Sequence, residues 1–318
     1  MTARLRRLAL HSALGAAVVL GPAVSGAAAQ QETPTAQIDI PHHIGDSRVV
    51  ELPYWKSPWV YRVELPRFPP IHVGGLTIDL SPTKHVVFLI LAATIVALLF
   101  VLSGRALQRT QAAGRPPRGF AGAMEAMALF IRQEVVLPNV GPHGEHFAPY
   151  ILTLFFFILT CNLLGLLPWG ATATGNLAVT AALAAISFLV IEISGMRALG
   201  PRGYLKTIVY VPPGLPGGPA GAILKVVLAL IMTPIEIIGK LAKPFALAVR
   251  LFANMTAGHV LVLALIGLAF IFQSYLVGVG ASLLATGVML LELFVAFLQA
   301  FVFALLTAVF IGLMRAEH

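Results

Sequence analysis

The chain has 318 residues, of which 58% are hydrophobic and only 11% charged, with a mean hydropathy of +0.89. This balance excludes a soluble globular protein and describes a polytopic membrane protein. The formal net charge of +8 invites a nucleic-acid reading, but the cations gather in short loops between apolar runs. That is a topology signal, and no nucleic-acid partner is expected.

Residues 1–29 have the pattern of a signal peptide. Arg4, Arg6 and Arg7 form a basic start, Leu8 to Leu20 a short apolar core, and SGAAAQ a small-residue cleavage site after Ala29. An uncleaved signal anchor would carry the same pattern; either way this end is exported or membrane-bound, which points to a bacterial chain. Residues 30–84 are polar and rich in Pro and aromatics, and are expected to be extended or irregular outside the membrane. Tyr54, Trp55, Trp59 and Tyr61 suit an interfacial position. His42 and His43 are adjacent and do not converge on one side, so a solvated loop is preferred to a metal site.

The remainder, 85–318, is expected to form an all-α transmembrane domain of about five helices. The first span runs from about His85 to Leu102. The loop after it carries Arg105, Arg109, Arg115 and Arg118 with no acid, which places it in the cytoplasm. GAMEAMALFIRQEVVLP has helical apolar spacing but is too short and too charged to span, so it is expected along the cytoplasmic interface. His143, Glu145 and His146 in HGEHF lack an evident third ligand and read as a loop; no metal is expected. The second span is about Tyr150 to Leu167. It contains Cys161, the single cysteine, which leaves no disulfide framework and no thiol metal site. The third span is about Asn176 to Met196, followed by Arg197, Arg202 and Lys206 on the cytoplasmic side and by a Pro/Gly-rich break.

Residues 220–314 can be divided into three spans or into two long tilted helices, about 221–270 and 281–314. The second division keeps Arg250 inside a helix and the C-terminus cytoplasmic, and is preferred. An ordinary span needs only about 20 residues, so both helices would be unusually long.

This pair carries the polar residues that demand explanation. Between Arg250 and Arg315 the only formally charged side chain is Glu292. A guanidinium at membrane depth costs roughly 2.5–3.5 kcal/mol on insertion scales, and it does not titrate in the accessible range. It needs an anionic partner. At about 100° per residue, Glu236 and Arg250 fall within roughly 40° of one face and about 21 Å apart along the axis. Lys243 lies midway on that stripe and Asn254 stays near it. His259 points roughly the opposite way, about 13 Å further on. On the last helix Glu292 and Gln299 are seven residues apart, on one face. His and Glu can relay protons when perturbed, so the pattern is a polar path interrupted by a fixed positive charge. Asn254 and Gln299 equally suit interhelical hydrogen bonding.

PFALAVRLFANMTAGHVL, with NLLGLLPWG upstream and FLQAF downstream, resembles subunit a of the F-type ATP synthase. The resemblance covers about Ser81 to His318. It implies that Arg250 is the essential charge facing the proton-carrying carboxylate of a rotating c-ring, with Asn254 and Gln299 as polar neighbours. It implies that Glu236 belongs to a cytoplasmic half-channel, that His259 and Glu292 belong to an outer one, and that Asn162 is the polar residue of the second span. Many members have the acid first and the histidine second; here the order is exchanged. At Gly165 some members carry an acid that is missing here. The implied partners are the c-ring, the subunit b stalk, the F1 sector, membrane lipid and protons as the transported ion. No cofactor is expected, and the chain lacks a GxxxxGK[ST] phosphate loop, so ATP chemistry would occur elsewhere. The competing class is a secondary transporter or channel in which the buried Arg binds an anionic substrate.

Overall fold

The computed structural model describes residues 45–53, 60–73, 76–114, 116–141, 144–167, 170–209 and 218–316. The chain forms two units, Met1–Gln37 and Ile38–His318. The first, with the expected signal peptide, lies outside the described residues, as do His42, His43, Tyr54, Trp55, Trp59 and His143.

The segment ahead of the first span is extended, as expected, and it is also paired. Strands β1 (Val49–Pro53) and β2 (Val60–Glu64) form an antiparallel hairpin with Val49 opposite Glu64. Strands β3 (Ile71–Val73) and β4 (Leu76–Ile78) form a second. Between this segment and the first helix, Asp79 accepts from the Ser81 backbone N–H at 2.9 Å and pairs with Arg48. Its contacts with Ser81, and then the Arg48 charge, hold its carboxyl below the usual value. The arm is tied to the helices by Lys84 N–H donating to Ser47 O at 2.9 Å.

Helix α1 (Lys84–Ala112) runs ten residues beyond the expected end of its span. The extension SGRALQRTQA consists mostly of good helix formers, and the chain turns only at Gly114, at φ 63°. Helix α2 (Gly119–Phe130), a π-helical turn (Ile131–Val136) and short α3 (Leu137–Val140) follow. Their apolar stripe, Met124, Ile131, Val135, Val136 and Val140, is buried against the bundle. In the loop after them Glu145 pairs with Arg132 at 3.2 Å.

Helix α4 (Ala148–Gly165) and helix α5 (Leu177–Ile208) are the next two spans. Asn176 caps α5 by accepting from Ala178 N–H at 2.9 Å, satisfying one orphan donor of the first turn. The third span does not stop near Met196. Gly200 takes φ 70°, ψ 168°, and Pro201 opens a further helical stretch to Ile208. Glycine accepts the left-handed backbone and proline suits a first helical turn, so the two together make a kink rather than an end.

Helix α6 (Pro219–Phe272) has 54 residues and α7 (Tyr275–Ala316) has 42. Gln273, at φ 46°, and Ser274 join them, so they form an antiparallel hairpin. The division into two long helices is the observed one. At 1.5 Å per residue α6 is about 81 Å long, and a bilayer of about 40–45 Å requires so long an apolar helix to run obliquely. Among the described residues, five helices are long and apolar enough to cross a membrane.

The main core lies where α4 and α7 meet the α2–α3 segment. Phe155, Ile151, Ile158, Phe303 and Ile311 are fully buried there, and Phe155 meets Phe156 and Phe297 edge-on at 5.1 and 5.7 Å. Ala296, Ala300, Ala304 and Ala308 form a fully buried stripe on α7. Small residues at this spacing let helix backbones approach closely, which drives association where lipid removes the hydrophobic incentive.

Candidate functional site

Helix α6 sets most of the site. Its inward face is Leu247, Ala248, Leu251 and Met255, all buried. Arg250 and Asn254 lie beside that face and are exposed. Arg250 makes no hydrogen bond or ion pair with any described residue. Asn254 reaches α7, where its Nδ2 donates to Gln299 Oε1 at 2.9 Å. Gln299 is only 4% exposed, and its Nε2 has no acceptor among the described residues. A buried amide donor is rarely left so.

Towards the α6–α7 turn, Glu292 is buried at 7% exposure and lies against Gly258. A Cβ on Gly258 would stand 2.5 Å from Glu292 Oε1 and 2.8 Å from its Cδ. Glycine at that position is what gives the carboxyl its place. The next residue, His259, is half-buried and lines a small pocket of about 10 Å³ with Lys84 and His85 of α1, Gly170 to Thr172, Gly175, Met255 and Thr256. At the rim of this pocket His85 Nδ1 and Asp46 Oδ1 are 2.7 Å apart. Asn176 Nδ2 donates to the other Asp46 oxygen at 3.5 Å. Sequence reasoning missed this cluster: Asp46 lies 130 residues from Asn176 in an arm with no periodic pattern.

In the opposite direction along α6, half-buried Glu236 lines a cavity of about 80 Å³. Lys240, Lys243 and Leu247 of α6, Ser187, Ile191 and Glu192 of α5, and Phe310, Leu313 and Met314 of α7 complete its wall. Glu192 is 8% exposed and accepts a hydrogen bond from the Tyr204 hydroxyl. Lys240 Nζ donates to Thr207 Oγ1 at 2.9 Å and stands 5.0 Å from the Tyr204 ring centre. Sequence reasoning also passed over Glu192. Its signal was present as an acid inside the apolar run SFLVIEISG, but the nearby cations drew the reading to the loop.

Asn162 is fully buried on α4. Its Nδ2 donates to Ala296 O at 3.1 Å, and its Oδ1 accepts from Thr174 Oγ1 at 2.8 Å. It ties α4, the 173–175 turn and α7 together. Close by, the space that a side chain at Gly165 would need is filled by Thr172. A larger cavity of about 500 Å³ lies at the α6–α7 turn, lined by Ala269, Gln273, Ser274, Tyr275 and neighbours, and includes none of the candidate residues.

The structure thus places Arg250 on α6 between two cavities, one lined in part by Glu236 and the other by His259. Against known families, residues 86–312 match the model described as ATP synthase A chain. The chain belongs to this family. It is 45% identical over 299 residues to "ATP synthase subunit a" of Chlorobium phaeobacteroides, an alignment covering 94% of this chain and 81% of that protein. It is 44% identical over 296 residues to "ATP synthase subunit a 2" of Chlorobaculum tepidum, covering 93% and 77%. "ATP synthase subunit a" of Anaeromyxobacter dehalogenans is 40% identical over 285 residues, covering 87% and 70%. As an ATP synthase A chain, the protein is a proton-translocating, non-catalytic subunit of the membrane sector of the complex. It is a multi-pass protein of the bacterial inner membrane.

Proposed function

We propose that this chain forms two offset proton half-channels against a c-ring, separated by the fixed charge of Arg250. Protons enter from outside along His259, Glu292 and Asn254 and neutralise a carboxylate of the ring, which can then face lipid as the ring turns. After nearly a full turn that carboxylate meets the inner half-channel at Glu236 and releases its proton. Arg250 favours the ionised form of the arriving carboxylate by direct attraction. Because it does not itself titrate, it also blocks direct passage between the half-channels. Gln299 orients Asn254 by accepting through Oε1, and its buried amide nitrogen has no acceptor among the described residues.

The observation that carries this reading is the state of Arg250: exposed on the hairpin, unpaired among the described residues, and set between two cavities that ionisable side chains help to line. A charge costing several kcal/mol at membrane depth requires a counter-charge, and an external carboxylate supplies one. The basic residues of the last turns of α1 and just after it, and those at the end of α5, favour cytoplasmic placement, which puts residues 30–84 outside and the C-terminus in the cytoplasm. The subunit b stalk and the F1 sector complete the assembly, and ATP chemistry occurs there. One charge crossing 100 mV supplies about 2.3 kcal/mol, so several protons must cross per ATP.

Arg250→Ala is expected to abolish ATP-driven proton pumping in inverted vesicles while the complex still assembles. Pumping at the unsubstituted rate would refute the assignment.

A further inference from the structure

We propose that Glu192 is a second proton-carrying carboxylate of the cytoplasmic half-channel, working with Glu236 across the cavity they both line. The proposal rests on the half-channel reading above and adds a residue, on a different helix, to its inner branch.

Three observations converge on it. Glu192 is the sixteenth residue of α5, so it lies about 22 Å along that helix from Leu177, within the spanning part and before the cations Arg197 and Arg202. An acid there is costly and marks an ion pathway by default. Next, it shares with Glu236 a cavity of about 80 Å³, enough for a short chain of waters at about 10–15 Å³ each. Finally, its surroundings suit exchange rather than a fixed ion pair. Among the described residues its one polar partner is the Tyr204 hydroxyl. The Gly200–Pro201 kink folds the last stretch of α5 back so that this hydroxyl reaches it.

Three further ionisable groups line the cavity, Glu236, Lys240 and Lys243, all from α6; α7 contributes the uncharged Phe310, Leu313 and Met314. Lys240 is held by Thr207 and over the Tyr204 ring, and it forms no ion pair with Glu192. A proton leaving the rotor carboxylic acid passes to the Glu236 carboxylate, through cavity water to the Glu192 carboxylate, and on to bulk water. Each carboxylate is regenerated and no electrons are exchanged.

The test uses the whole ATP synthase complex in proteoliposomes, with pH varied separately on the two sides. Glu192→Gln is expected to slow proton pumping at least five-fold, to shift the dependence on cytoplasmic-side pH, and to leave the outer-side dependence unchanged. Glu192→Asp should recover most of the rate. Tyr204→Phe removes only a hydroxyl and should shift the same cytoplasmic-side profile in a fully assembled complex. An unshifted cytoplasmic-side profile in Tyr204→Phe, equal shifts on both sides, or a Glu192→Gln rate within two-fold of the unsubstituted complex would each overturn the proposal. Arg250→Ala in the same vesicles reports independently on the half-channel reading: pumping there would sink that reading whatever Glu192 does.

Discussion

A cation inside an apolar helix must snorkel to an interface, find an acid within its own chain, or meet one from outside. Arg250 sits well inside α6, about 46 Å from its start and 33 Å from its end, too far for its side chain to escape along the helix axis. Its candidate acids are Glu236, about 21 Å away by helical rise, and Glu292, which instead packs against Gly258. Neither pairs with it, which leaves the external partner. The placing of Glu292 depends on the missing Cβ at residue 258. Gly258→Val is therefore expected to displace the Glu292 carboxyl and slow proton pumping several-fold, with the outer-side pH profile altered and the cytoplasmic-side profile kept. Unchanged pumping would show that the carboxyl position is unimportant. Arg250 was legible in the sequence because a charge in an apolar run is conspicuous. The polar partners of Asn162 were not, because the acceptor and the donor that it meets come from residues 134 and 12 positions away.

At the scale of elements, the long hairpin was legible and its supports were not. Lys240, Lys243 and Arg250 interrupt the apolar run, but keeping Arg250 within a helix and the C-terminus cytoplasmic favoured an unbroken α6, which the structure shows in spite of Pro234 and Pro244. The Gly200–Pro201 kink looked like a loop start, because the same residues also end helices. Nothing in local pattern showed that α7 docks on the α2–α3 segment through Gly312. There the Asn139 carbonyl lies inside the van der Waals space of any added Cβ. Because that obstacle is backbone, Gly312→Val must separate the two elements. It is expected to cost about 1–3 kcal/mol as overpacking, read as a lower melting temperature of the purified complex. An unchanged melting temperature would mean that the contact is dispensable. Between helices, the alanine stripe at 296, 300, 304 and 308 and the Asn254–Gln299 bond set the seam.

The whole molecule leaves a broad apolar face of α6 uncovered: Ile223, Val226 and Leu230 are 67, 69 and 74% exposed. Lipid can cover such a face, but Arg250 and Asn254 on the same helix cannot face lipid cheaply. The molecule therefore reads as one side of an interface. The chain alone in proteoliposomes is expected to conduct protons no faster than protein-free vesicles, while the assembled complex conducts when ATP is supplied. Substrate-specific transport by the chain alone would favour the secondary-transporter class instead. The N-terminal arm belongs to this scale too, since Asp46 meets His85 and Asn176 at the rim of the His259 pocket.

The sequence by itself determined that the chain is a polytopic helical membrane protein and that Arg250 is a charge set deep in an apolar run; it favoured two long final helices over three spans without deciding between them. Those properties follow from hydropathy and from the energetic cost of a charge in lipid, both of which are local. Only the tertiary structure decided that Glu192 joins Glu236 in one cavity, that Gly258 gives Glu292 its place, and that Arg250 is exposed without a partner among the described residues. Those outcomes depend on which helix faces meet across long separations in the chain. That is a matter of packing, to which a linear pattern of residue types is blind.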